Sequence, residues 1–221
     1  MRGRLGLAAF VLLAGCATNR PPQPLPVAAA NWRTTATEAD RLRLRNWRAA
    51  LVEGLADARA RGAGPALQRE GALLMPDAAL PNPSLPPGNY RCRVTKLGAK
   101  SPGLLSYIAY PGFSCRVAQE GDVRSFKKVS GSQRPVGLIF KGDETHDVFL
   151  GTLVLGDERE AQQYGVDPQR DMAGLVQRIG VNRWRLLLPY PAFESLTDVI
   201  ELVPAPPLSD ADSASRSASS E

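Results

Sequence analysis

The chain has 221 residues, with 27 Lys and Arg against 22 Asp and Glu, a formal charge of +5, three cysteines and a single histidine. So mild a positive balance excludes a nucleic-acid binder, which concentrates basic charge on one face. One histidine excludes a multi-histidine metal centre, and neither a metal nor a cofactor is expected.

In chain order, residues 1–15 read as a signal peptide. Arg2 and Arg4 precede the apolar run Leu5–Leu13, which falls far short of the ~20 residues a membrane-spanning helix needs. Leu13-Ala14-Gly15-Cys16 is similar to the lipobox of bacterial lipoprotein precursors. The resemblance implies cleavage after Gly15, a diacylglyceryl thioether on Cys16 and acylation of the new amino terminus. The rival reading is an ordinary signal peptide with a chance cysteine. Several acyl chains make a stable anchor, where one chain is marginal. Ala17, rather than Asp, follows the cysteine. By the usual sorting rule this favours the outer membrane, with the domain facing the periplasm. Residues 16–30 form a Pro-rich tether; at about 3 Å per residue it lifts a domain about 40 Å from the bilayer.

Residues 31–75 read as a helical segment packed on a β domain. Thr37 and Asp40 fit an N-terminal capping box, Leu42, Trp47, Leu51, Leu55 and Ala58 recur at near-helical spacing, and Gly62 ends the helix. The opposite face carries Arg41, Arg45, Arg48, Arg59 and Arg61. It is either a contact for acidic headgroups or a solvated face interleaved with Glu53 and Asp57. A second short helix begins at Pro65, and residues 76–88 are a Pro-rich linker.

From residue 89 to 204 short apolar segments alternate with turn signals. Strands are expected near 89–96, 112–119, 122–130, 134–140, 146–155, 171–180, 183–190 and 198–203. The fold class is therefore mainly β, within α+β. An antiparallel meander of about eight strands closes into a small barrel, or stays open as a half-barrel or sandwich. Cys92 and Cys115 sit in matching contexts, Tyr-Arg-Cys-Arg-Val and Phe-Ser-Cys-Arg-Val. On neighbouring strands they could form one disulfide in an oxidising compartment; a free thiol pair or a metal site is the rival. Residues 205–221 read as a disordered polar tail.

The runs Gly131–Gly137, Val148–Gly156, Gln163-Tyr164-Gly165, Arg170–Gly174, Trp184-Arg185-Leu186, Phe193-Glu194-Ser195 and Asp198–Pro204 resemble domain of unknown function 4893, over about residues 31–204. The family is known from Gram-negative bacteria. The resemblance implies a domain and a compartment; it supplies no catalytic residue.

Candidate site residues are few. His146 lies beside an expected turn, an exposed place for a catalytic base. Glu194, Asp198 and Glu201 form a carboxylate cluster, but Asp198 and Glu201 point to opposite faces of a strand, so capping or pairing with Arg183 or Arg185 is the better account. Arg134, Arg170 and Asp171 sit at strand ends, where they either clamp an anion at a barrel mouth or form an internal ion pair with Asp171 or Asp157. Trp184 and Tyr190 are core residues or the floor of a ligand site. No catalysis is expected. The reading is a lipid-anchored binding or structural protein, its partner an envelope protein, such as a hydrolase it inhibits, or a small apolar ligand carried as lipocalins do. An envelope hydrolase is the third alternative.

Overall fold

The computed structural model describes residues 30–206. The signal peptide, Cys16, nearly all of the tether and nearly all of the tail lie outside the described residues. Eight strands succeed one another as β1 (Gly88–Ala99), β2 (Tyr107–Glu120), β3 (Val123–Lys128), β4 (Gln133–Phe140), β5 (Asp147–Leu155), β6 (Asp171–Gly180), β7 (Arg183–Pro189) and β8 (Ser195–Pro204). Each pairs antiparallel with its sequence neighbour, and β8 returns to β1 from Tyr90↔Pro204 to Ala99↔Ser195, closing the barrel. Closure satisfies both edges of the sheet, which in an open meander would stay exposed to pairing with other chains.

All eight expected strands are present. The main departure is β2, which begins five residues before the expected 112. Pro111 and Gly112 look like a turn, yet they lie inside the strand. The register steps from Cys92↔Phe113 to Val94↔Tyr110, so the two residues stand opposite Arg93 alone. This is a β-bulge, a place where a proline does not remove a ladder hydrogen bond. The disulfide joins Cys92 to Cys115 with Cα atoms 5.9 Å apart. Because Cys92 faces Phe113 and Cys115 faces Tyr90, the bridge runs diagonally between β1 and β2 rather than between directly opposed residues.

Period-two alternation fills the interior. Tyr90, Phe126, Phe149, Trp184, Leu186 and Leu202 belong to one buried cluster. Trp184 meets Tyr90 edge to face at 6.3 Å, and Phe126 meets Phe149 at 5.7 Å. Interior glycines let the wall bend sharply: a Cβ on Gly137 would overlap the Leu150 carbonyl oxygen, and one on Gly151 would overlap that of Val136. The Trp184–Leu188 face does not continue to Tyr190. That residue leaves the strand at φ 46°, and its hydroxyl donates to Glu53 Oε2 at 3.0 Å.

The helices lie on the outer wall. A short turn, α1 (Trp32–Thr35), precedes α2 (Glu38–Arg45) and α3 (Trp47–Ala60). The Thr37 cap forms as expected, its Oγ1 accepting from the Asp40 amide at 3.1 Å. The single helix expected up to Gly62 is broken at Asn46 (φ −97°, ψ 12°). Two patches of a curved wall explain the break. Leu44 packs with Val148 and Leu175 of β5 and β6, whereas Leu51, Leu55 and Ala58 pack with Leu97 and Val199 of β1 and β8. A straight helix cannot reach both. Pro65 sits in the first turn of α4 (Gly64–Glu70), and a 3-10 turn, Gly71–Leu73, comes next.

The Pro-rich stretch 76–88 is tied to the barrel along its length. Arg178 donates to the Pro81 carbonyl, Arg124 donates to Ser84 Oγ and the Leu85 carbonyl, and the Tyr90 hydroxyl donates to the Pro86 carbonyl at 2.6 Å. Leu85 is fully buried within the interior cluster. Arg185 is wholly buried on the outer side of β7. Its guanidinium donates to Gln177 and to the carbonyls of Ala72, Leu73, Met75 and Pro76, clamping the end of the helical segment to the wall. Among the described residues, no helix is long and apolar enough to cross a membrane.

Candidate functional site

One end of the barrel is ringed by the β1–β2, β3–β4, β5–β6 and β7–β8 connections. A cavity of about 340 Å³ opens there, at the small end of the range for ligand sites. Its walls include Val94, Tyr110, Phe113, Leu153, Met172 and Ile200, and its polar side chains include Lys96, Lys128, Gln133 and Asp198.

Alternation explains how these charges come to face inward. On β1, Tyr90, Cys92 and Val94 point inside, and the next inward position is Lys96. On β8 the inward series Leu202, Ile200 continues to Asp198; on β3, Phe126 continues to Lys128. The apolar series thus ends in a polar residue at the same end of each strand.

The Lys96 ammonium is 2.9 Å from Glu194 Oε2, 3.0 Å from Gln133 Oε1 and 3.3 Å from Asp198 Oδ2. Ser195 Oγ donates to the other Asp198 oxygen at 2.5 Å. Glu194 reaches the cluster from a turn held at φ 63°, a backbone that a non-glycine residue adopts at a cost. Burial pushes the Asp198 carboxyl above the usual carboxylate range, against the pull of Lys96. Burial pulls the Lys96 ammonium down, but the Asp198 and Glu194 carboxylates outweigh it and hold it above the ordinary lysine value.

Lys128 differs. It is 3 % exposed and donates to two uncharged acceptors, the carbonyls of Ser130 (2.7 Å) and Gln133 (2.9 Å). Its Nζ lies 3.6 Å from the centre of the Phe113 ring. Burial, then the positive charges of Arg134 and Lys96, draw it down to about 8.

The structure distributes the sequence-selected residues unevenly. Arg170 and Asp171 both line the cavity. Arg170 grips Glu158 through two N–H···O contacts of 2.9 Å, so its carboxylate partner is Glu158 rather than Asp157 or Asp171. Asp171 Oδ1 accepts from the Gly165 amide at 2.8 Å, and burial raises its carboxyl. Arg134 stands beside the rim and donates to the carbonyls of Gly131, Gly156 and Glu158, pinning two loops together. Trp184 is in the packed core, outside the cavity lining. Glu201 points outward to Arg93 (2.9 Å) and Arg183 (2.6 Å), while Asp198 points inward, the opposition expected of that strand. Arg93 also reaches Glu70 at 2.6 Å.

Of the arginine face, Arg48 pairs with Asp77 and Arg61 with Asp57. Arg41 and Arg45 border an outer groove of about 440 Å³ with Trp32 and Trp47. His146 lies in the same groove, Nδ1 3.0 Å from Asp143 Oδ1. Among the described residues no group of His, Cys, Asp and Glu side chains could hold a metal ion. Lys96, Lys128, Gln133 and Phe113 were not selected from the sequence.

The family model for domain of unknown function 4893 matches residues 32–202. No curated protein and no solved structure matches the chain.

Proposed function

The chain belongs to the family of domain of unknown function 4893, and we propose that this member is a lipid-anchored envelope protein that binds a small amphipathic molecule in the mouth of its barrel, without transforming it. The lipobox-like Leu13–Cys16 supports the anchor on Cys16, and Ala17 supports the outer membrane, facing the periplasm, as its location.

One observation carries the binding reading: apolar side chains fill the lower barrel, and its mouth opens into a cavity with a polar rim. At ~30 Å³ for each water-sized atom, the space holds a ligand of about a dozen non-hydrogen atoms. A wide apolar interior, as a carrier of large lipids requires, is not what the core offers. The mouth carboxylates are occupied: Glu194 and Asp198 share Lys96, and Asp198 also takes the Ser195 hydroxyl. A hydrolase needs a base poised against a nucleophile or a water, and these groups are committed to each other. The envelope-protein partner has no comparable feature in its favour.

The test is native mass spectrometry of the full chain purified from envelopes in mild detergent. The expected result is an acylated amino-terminal Cys16 together with a bound small molecule. That molecule should be lost when Leu153→Trp fills the cavity. An unmodified amino terminus removes the anchor; a ligand-free protein that also fails to take up the small neutral fluorescent probe 1-aminonaphthalene, which is within the size the cavity allows, removes the binding reading.

A further inference from the structure

We infer that the ligand of the mouth carries an anionic acid group, a carboxylate or a phosphate monoester, which pairs with the Lys128 ammonium while its apolar part lies against Val94, Leu153, Met172 and Ile200. This deepens the binding reading and rests on it.

The cavity holds two buried lysines in contrasting states. Lys96 has three acceptors for three N–H groups, two of them carboxylates. Among the described residues, no carboxylate lies within salt-bridge reach of Lys128. Its partners are two backbone carbonyls and the face of Phe113. A buried ammonium without a counter-ion is a costly arrangement, and the ring face is a weaker partner than a charged oxygen. The surrounding charges have the same sign. Lys96 from β1 and Arg134 from β4 both disfavour the protonated Lys128. The acids around the mouth are engaged elsewhere: Glu194 and Asp198 on Lys96, Glu158 on Arg170, and Asp171 on the Gly165 amide. On the β3–β4 side of the mouth Lys128 is therefore a positive charge without a counter-ion among the described residues, beside an apolar wall.

The hairpin holds the ammonium in place. Gly131, at φ 87°, packs so closely that a Cβ there would lie 2.8 Å from Lys128 Nζ and 2.8 Å from Phe113 Cε1. The ammonium cannot retreat in that direction, so its third N–H is offered to whatever displaces the ring. An acid group arriving there supplies the missing counter-ion and raises the pKa of Lys128. Binding therefore takes up protons near pH 8.

The experiment compares decanoate, decyl phosphate and 1-decanol as competitors of 1-aminonaphthalene on the full mature chain. At pH 7 at least one of the two anions is expected to bind tenfold or more tightly than the alcohol; which one does so identifies the acid group. Its affinity falls as pH rises from 7 to 9.5 while that of decanol stays level, and calorimetry at pH 8 in two buffers of different ionisation heat shows net proton uptake. Lys128→Met removes the preference for the anion; Lys128→Arg keeps it. Decanol binding as tightly as both anions, or an anion affinity independent of pH in the wild-type protein, overturns the inference and leaves the mouth a neutral binding site. Failure of all three competitors and of the probe removes the binding reading as well. The pH arm needs no variant, so misfolding of Lys128→Met would not shield the inference.

Discussion

Replacing Arg185 with methionine should destabilise the domain by about 3 kcal/mol, although it exchanges a charged residue for an apolar one in a fully buried position. Burial holds the guanidinium down to about 10, so some of its hydration is lost on folding and methionine recovers that cost. The loss on the other side is larger. The carbonyls of Leu73, Met75 and Pro76 accept from Arg185 at 2.8, 2.7 and 3.1 Å, and Gln177 Oε1 accepts at 2.9 Å. Each acceptor left without a partner in a buried setting costs roughly 1–3 kcal/mol, and breaking a buried charged network by removing one side costs about 3–5 kcal/mol. Relaxation of the 72–76 segment toward water brings the net to the lower end. For a domain of this size about 3 kcal/mol lowers Tm by roughly 6–12 °C. Thermal unfolding monitored by circular dichroism measures the shift, and hydrogen exchange should show amides near residues 71–78 opening first. A Tm within 2 °C of wild type, with exchange there unchanged, would mean that apolar packing alone fixes the helical segment and that the clamp is dispensable.

The disulfide, a wall glycine, the mouth lysine and the Tyr164 hydroxyl each give a further measurable outcome. Reducing the Cys92–Cys115 bridge, which spans 23 residues of sequence, should cost about 3 kcal/mol on the chain-entropy account, read as a lower urea midpoint for the Cys92→Ser/Cys115→Ser protein. Gly137→Ala forces a methyl against the Leu150 carbonyl and should cost about 1–3 kcal/mol, while Gly112→Ala, which meets nothing within 4 Å, leaves the midpoint unchanged. Lys96→Met strips the cation from Glu194 and from buried Asp198, at about 3 kcal/mol at pH 7. A carboxyl whose folded pKa is raised takes up protons on folding, so the deficit against wild type should shrink as urea titrations move from pH 7 to pH 5. Tyr164→Phe removes the hydroxyl that donates to Asp40 and accepts from the Thr37 amide; it should cost about 1–2 kcal/mol and speed proteolysis within residues 156–170.

The strands were legible because period-two alternation and turn glycines are local signals. The break at Asn46 was not, because it depends on the curvature of a wall that strands far along the chain build. The early start of β2 was hidden for a related reason: whether a pair such as Pro111-Gly112 turns the chain or bulges a strand is decided by the partner, here Arg93 on β1. The clamp by Arg185 was equally hidden, since its acceptors are backbone carbonyls more than a hundred residues upstream, and no side chain in the sequence announces them. Arg170 was legible as an ion-pair former, yet its partner proved to be Glu158, one residue along from the expected Asp157, because the turn after β5 sets which carboxylate faces back.

The mouth cluster was within reach of the alternation that found the strands. Writing the inward series of β1 as Tyr90, Cys92, Val94, Lys96 places a lysine where the pattern demands an apolar residue. Phe126, Lys128 on β3 and Leu202, Ile200, Asp198 on β8 do the same. A charged residue at an inward position is expensive unless it is partnered, so three such exceptions on strands of one barrel imply a shared polar space. Their order fixes where it lies. β1 and β3 run toward the end that β8 leaves, and the lysines fall late in their strands while the aspartate falls early in its own. Chain direction alone therefore brings all three to one rim. What alternation cannot supply is which cation the carboxylates neutralise. Register across the β1–β8 seam settles that, pairing Lys96 directly with Asp198 and leaving Lys128, across the mouth on β3, as the charge that is still unmatched.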